Sequence, residues 1–164
     1  MSNLITFQTK VEVFDSLEEL PTEQQELMLR ARNTMKEAYA PYSKFHVGAA
    51  VRLANGKIVV GSNQENAAYP SGLCAERVAV FAASAQYPTV PIRQIAVVAN
   101  SDEFQLSQPV SPCGACRQVL KEYEDRDRVP MMILLGTLTP TVYRLENVEQ
   151  ILPLSFTRRN LSEA

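Results

Sequence analysis

The 164-residue sequence contains one histidine, His46, and three cysteines, Cys74, Cys113 and Cys116. Three thiols cannot all pair within one chain, so a disulfide framework like those of small secreted domains is not expected. No run approaches the ~18 consecutive apolar residues of a membrane span. The opening stretch, "MSNLITFQTK", has neither a long apolar segment nor a small-residue cleavage site. No secretory signal is therefore expected, and the expected compartment is the cytosol. Basic clusters are scarce as well: the only adjacent pair is Arg158 and Arg159, and the net charge is -2. A nucleic-acid partner calls for a basic stripe that neutralises phosphates, so none is expected, while a small uncharged ligand is compatible. There is no internal repeat, low-complexity tract or Gly/Ser linker. At a length below the roughly 250 residues at which chains divide, one domain over 1–164 is expected. The 46% hydrophobic and 21% charged residues allow that domain both a core and a polar surface.

The pattern of what is present predicts alternating helices and strands. "TFQTKVEVF" alternates loosely, as a short first strand would. Thr22 with Gln25 three residues on has the spacing of a capping box, and Leu27, Met28, Ala31, Met35 and Ala38 recur at helical intervals. A helix over about 22–38 follows, stopped by Pro41. Two β-rich runs flank Asn55-Gly56, a strong hairpin signal. "LCAERVAVFAASA" reads as a buried helix, "IRQIAVVAN" as a core strand, and "CGACRQVLKEYE" as another helix. "PMMILLG" is a further core strand, "TPTVYRL" a possible last one, and "NVEQILPLSF" ends with a short helical turn. Helices following strands argue for an α/β fold, a three-layer α/β/α sandwich around a mixed sheet of about five strands.

The cysteines carry the chemistry. Ser111 suits an N-cap and Pro112 a first helical position, which would put Cys113 and Cys116 in the first turn, their sulfurs on one face. Unpaired N–H groups and the positive dipole end favour thiolate there. Three thiolates with one open position match a catalytic zinc site, whereas a structural one needs four protein ligands. His46 is read as a surface or core residue, not as a ligand. A redox pair at Cys113 and Cys116 would leave Cys74 unexplained, and Cys74 alone could be a small buried hydrophobe. Glu76 shifts that balance, because an unpaired carboxylate in an otherwise apolar helix is costly.

Cys74-x-Glu76 followed by Pro112-Cys113-x-x-Cys116 has the order of the zinc nucleobase-deaminase signature. Together with "YAPYSKFHVGAAV", "GSNQENAAYPSGLCAERVAVFAA" and "QILPLSF", it resembles the small, homotetrameric, three-cysteine cytidine deaminases over about residues 39–156. The segment before the first helix is longer than the resemblance implies, and residues 1–15 stand as an N-terminal extension without an assigned role. The resemblance implies one zinc per chain held by Cys74, Cys113 and Cys116, which acidifies a water, and Glu76 as the group that shuttles its proton. It implies hydrolysis of cytidine and 2′-deoxycytidine to the uridine nucleosides with release of ammonia, in pyrimidine salvage. Arg77 would offset thiolate charge. Asn63 and Glu65 would hold the ribose 3′-hydroxyl, Phe45 would stack near the base, and the Ala75 N–H would meet the base carbonyl. Tyr69 and Phe156 would complete the pocket, Phe156 from a neighbouring subunit of a homotetramer. Two alternatives stay open. One is a related deaminase acting on a modified cytosine nucleoside, which need not keep Asn63 and Glu65. The other is a binding module with a structural zinc.

Overall fold

A computed structural model describes residues 2–161. Its mixed sheet contains β1 (Glu12–Phe14), β2 (Phe45–Leu53), β3 (Ile58–Ser62), β4 (Ile92–Ser101), β5 (Met132–Gly136) and β6 (Val142–Leu145). Their spatial order is β1-β6-β5-β4-β2-β3. The α-helices of the described residues are α1 (Thr22–Met35), α2 (Ala75–Gln86) and α3 (Gly114–Asp127). β4 and β5 run parallel and the other neighbours antiparallel. A parallel pair needs a crossover connection, and α3 lies on the one between β4 and β5. Among the described residues, no helix is long and apolar enough to cross a membrane.

The two-residue period of the strands divides the core between the two faces. Ile95 and Val97 of β4 join Ala49, Val51, Ile133 and Leu135 beneath Ala79, Val80 and Ala83 of α2 and Leu120 of α3. Ala96 and Val98 join Ala50 and Leu134 beneath Leu27, Met28, Ala31 and Met35 of α1. This is the expected α/β/α sandwich, with the central strands β2, β4 and β5 apolar on both sides because both faces are covered. Fully buried leucines such as Leu27 and Leu120 anchor the two outer layers; truncating one to alanine costs about 2–5 kcal/mol.

Several local expectations are corrected. The sheet has six strands, not about five. The edge strand β1, within the stretch expected to form a short first strand, pairs with β6 from Glu12↔Arg144 to Phe14↔Val142. It covers three residues of the nine-residue alternation because β6 is itself only four residues long. α1 ends at Met35, not near 38, where i→i+3 bonds (Lys36 N–H to Asn33, Glu37 to Thr34, Ala38 to Met35) tighten and unwind the last turn. Its N-cap is Pro21, with no side-chain cap. Gln25 instead turns its amide back to the carbonyls of Leu20 (2.8 Å) and Glu18 (3.3 Å), so no capping box forms. In the hairpin only Gly56 has positive φ, 82°. Its N–H reaches the Leu53 carbonyl and Leu53 N–H reaches Lys57, a three-residue loop rather than a two-residue one.

One feature of the sheet sets where the site lies. A Cβ built at Gly61 of β3 would stand 2.5 Å from Ala79 N and 2.9 Å from Ala75 O. Only a glycine lets α2 lie this close, and that approach brings the first turn of α2 down onto the sheet. Gly61→Ala is expected to destabilise the fold by about 1–3 kcal/mol through overpacking, read as a lower denaturant midpoint at unchanged slope. An unchanged midpoint would show that α2 does not depend on this contact.

Candidate active site

Two helix starts converge on the thiols. Cys74 is the N-cap of α2 and Cys113 the N-cap of α3, both with extended backbone (ψ 153° and 165°). α3 therefore begins at Gly114, two residues later than Ser111 and Pro112 suggest. The hydroxyl of Ser111 and the carbonyl of Pro112 are instead taken by the Arg117 side chain. Cys116 follows one turn on and is fully buried. The three Sγ atoms lie within 4.8 Å of one another, and Cys74 and Cys113 are 3.9 Å apart. Metal–sulfur bonds of about 2.3 Å at tetrahedral angles hold sulfurs about 3.8 Å apart. Spacing and donor chemistry thus both fit one zinc ion with a fourth position open. His46 stands apart, its Nε2 3.0 Å from Asp102 Oδ2.

Electrostatics reinforce the fit. Hydrogen bonding from Cys116, with help from Arg77 and Cys113, outweighs burial and lowers the Cys74 pKa to about 5. The same hydrogen bond to Cys74, together with burial, pushes Cys116 far above the ordinary thiol range. Arg77 Nη2 lies 3.7 Å from Cys74 Sγ and 3.4 Å from the Gly72 carbonyl. Glu76 is only 5% exposed, and its pKa is raised, first by burial and then by the neighbouring Cys74.

A cavity of about 420 Å³ opens against this cluster, walled by Cys74, Glu76, Cys113, Phe45, Asn63 and Glu65. A second hollow shares Asn63, Glu65 and Cys74 with it and extends to Tyr42, Tyr69 and Arg77. Asn63 is buried and already engaged: Oδ1 accepts the Val47 N–H (2.8 Å) and Nδ2 donates to the Phe45 carbonyl (2.9 Å). Its amide keeps one further donor and one lone pair. Glu65 Oε2 accepts the N–H groups of Tyr42 (2.9 Å) and Ser43 (3.3 Å). Burial pushes the Glu65 pKa up, but the hydrogen bonds from Ser43 and Tyr42 win and hold it below the usual value. Ala75, fully buried, occupies the first position of α2, where backbone N–H groups have no intrahelical acceptor. Tyr69 is 76% exposed and its ring lies 6.0 Å from that of Tyr42. Phe156 is not brought to either hollow. It is 57% exposed on the C-terminal segment, its carbonyl accepting from Gln118 Nε2 at 2.8 Å.

Other residues of the site escaped sequence reasoning. Val97 and Ala99 line the cavity from β4, yet their two-residue spacing reads as ordinary core. Ser43 and Lys44 lie in a loop without periodicity. Lys44 takes left-handed φ (54°), a conformation that costs a non-glycine residue about 1–2 kcal/mol. That turn lets Ser43 and Phe45, on either side of it, both reach the cavity wall.

The donor set and the fold together define a zinc-dependent hydrolase. Residues 21–132 match the family described as "Cytidine and deoxycytidylate deaminase zinc-binding region". A cytidine deaminase from Halalkalibacterium halodurans is 37% identical over 141 residues, covering 86% of this chain and 99% of the relative. One from Sporosarcina psychrophila is 38% identical over 141 residues, covering 85% and 96%. The crystal structure of cytidine deaminase from Burkholderia pseudomallei superposes with a TM-score of 0.71 at 37% identity, over 80% of this chain and 97% of that one. The chain belongs to the cytidine deaminase family, and its cofactor is zinc.

Binding zinc requires thiolates. Because Cys116 is held protonated, zinc added to the metal-free protein at pH 7 is expected to release protons into a weakly buffered solution. Stoichiometric uptake with no proton release would contradict this arrangement of the thiols.

Proposed function

We propose that this enzyme hydrolyses the C4–amino bond of cytidine and 2′-deoxycytidine, giving uridine or 2′-deoxyuridine and ammonia. The observation that carries the reading is a buried carboxylate, Glu76, sharing one cavity wall with Cys74 and Cys113. Cys74, Cys113 and Cys116 hold the metal. Zinc, when bound, supplies the Lewis acidity that lets water lose a proton near neutral pH. Glu76 accepts that proton and delivers it to N3 of the base as the water oxygen adds at C4. It then takes the remaining proton from the C4 hydroxyl and passes it to the exocyclic nitrogen, so that the C4–N bond breaks, ammonia departs and the C4 carbonyl forms. Burial suits Glu76 to this exchange, because a carboxylate whose pKa is raised is a stronger base toward the water proton.

The remaining residues bind and orient. Arg77, close to Cys74 Sγ, offsets charge that would weaken the metal as an acid. Three thiolates on a divalent ion leave a net -1, so a nearby cation restores acidity. Glu65 and Asn63 receive the ribose 3′-hydroxyl, using the acceptor and donor capacity that their backbone contacts leave over. Phe45 packs against the base, and the Ala75 N–H meets its carbonyl. Tyr69 and Phe156 complete the pocket. Phe156 is exposed and remote from the hollows of its own chain, which supports a pocket finished by a neighbouring subunit and hence a homotetramer. The physiological role that goes with this reading is pyrimidine salvage in the cytoplasm. The fold forms one domain, with residues 1–15 as an extension.

Glu76→Gln separates catalysis from folding. The variant is expected to keep about one zinc per chain, as the stoichiometry of a single site demands, and to lose nearly all turnover of cytidine. A carboxyl whose folded pKa is raised stabilises below its unfolded pKa, and that contribution is lost as pH rises through the folded value. The metal-free Glu76→Gln protein should therefore melt above the parent at neutral pH, and the gap should close on acidification. Substantial residual turnover would remove Glu76 from its role.

A further inference from the structure

Arg117 directly follows Cys116, and each of the three guanidinium nitrogens has a partner. Nε donates to the Pro112 carbonyl at 2.8 Å, Nη2 to Ser111 Oγ at 3.0 Å and Nη1 to the Ile151 carbonyl at 3.0 Å. Its backbone N–H also donates to the Cys113 carbonyl at 2.9 Å. One side chain thus joins the loop that delivers Cys113 to the C-terminal segment. The next residue, Gln118, holds that segment again at the Phe156 carbonyl (2.8 Å). From the other side, Thr9 Oγ1 and the Lys10 N–H donate to Gln150, both at 2.7 Å.

The loop needs such a clamp. Ser111 lines the cavity at the thiols and also a second hollow of about 400 Å³, walled by Thr9, Leu135, Tyr143, Ile151 and Arg117. The loop thus meets both hollows at Ser111, which is exposed between the buried Pro109 and Pro112. Packing holds buried chain in place through close contact on every side, and Ser111, exposed at two hollows, has less of that support than its buried neighbours. Hydrogen bonds must fix it instead, and a planar guanidinium fixes three acceptors in one rigid geometry that an ammonium cannot match.

We propose that Arg117 is a positioning residue that makes the Cys113 loop and the arm 151–156 one mechanical unit, so that zinc retention and the placing of Phe156 depend on each other. The inference rests on the reading of Cys113 as a zinc ligand. It assigns a task to a residue that touches neither metal nor substrate.

The test compares the zinc-loaded parent with Arg117→Met and Arg117→Lys. Two readouts are made without substrate: the rate of zinc loss to a chromogenic chelator, and backbone hydrogen exchange over residues 151–156. Removing a partner that orients a metal ligand costs about 10–100-fold in metal affinity. Both variants are expected to release zinc about tenfold faster or more, and both to lose exchange protection over the arm. KM for cytidine should rise more than kcat falls. Lysine keeps the charge and must fail to rescue, because one point donor cannot bridge three acceptors. If Arg117→Met does not fold, Arg117→Lys carries the same expectations. Parent-like zinc loss and parent-like exchange would overturn the proposal, and so would a change in one without the other. Inactivity of the parent toward cytidine would strike the functional reading alone, since zinc loss and exchange are independent of turnover.

Discussion

The architecture turns on a problem of charge. Three sulfurs lie within 4.8 Å of one another beside a carboxyl that is almost fully buried. Ionising this cluster in a protein interior is costly unless positive charge is close at hand. The fold answers with direction: α2 and α3 both begin at a cysteine, so two sets of unpaired N–H groups and two positive dipole ends meet at one place. Arg77 adds a formal charge at the edge, and zinc completes the balance. The hydrogen bond between Cys74 and Cys116 shifts the Cys74 thiol down and the Cys116 thiol up, and the spacing of the three sulfurs suits a single cation.

The rest of the molecule holds those two helix starts in register. α2 and α3 share one face of the sheet and their common core, so the separation of Cys74 from Cys113 is set by how each helix packs on the strands. Gly61 brings α2 close, while Leu120 seats α3. α1 closes the opposite face and contributes no residue to the cavity. The ends of β2 and β4 supply the floor through Phe45, Val47, Val97 and Ala99. Glu76 and Cys116 thus sit on helices and Cys74 and Cys113 at helix starts, while the loops over 39–44 and 64–73 that border the hollows are tied down by specific hydrogen bonds. Glu65 to Tyr42 and Ser43, and Gln64 to Leu73, are the principal ties.

Much of this was legible because it rests on local rules. Periodicity gave the three helices and the central strands, and Asn55-Gly56 gave the hairpin. The Cys-x-Glu and Pro-Cys-x-x-Cys pairs signal a metal site with a carboxyl beside it. What escaped was decided by tertiary contact. Pro21 rather than Thr22 caps α1, because Gln25 finds its acceptors in the preceding turn. Ser111 looked like an N-cap, but Arg117 claims its hydroxyl and the helix starts later. β1 is legible as a short first strand, but its reduction to three residues is set by the short edge that β6 offers. Asn63 is marked by the resemblance, but the bridge its side chain makes between Val47 and Phe45 is set by tertiary contact. The role of Arg117 depends on a loop that meets two hollows, which no local pattern encodes.

The most direct measurement is ammonia release from cytidine by the purified protein, followed through removal of zinc by a chelator and its restoration. The account predicts turnover that stops as the metal leaves and returns when zinc is added back. Turnover that persists in the metal-free protein would contradict it, as would a protein with its thiol site fully loaded that leaves cytidine untouched.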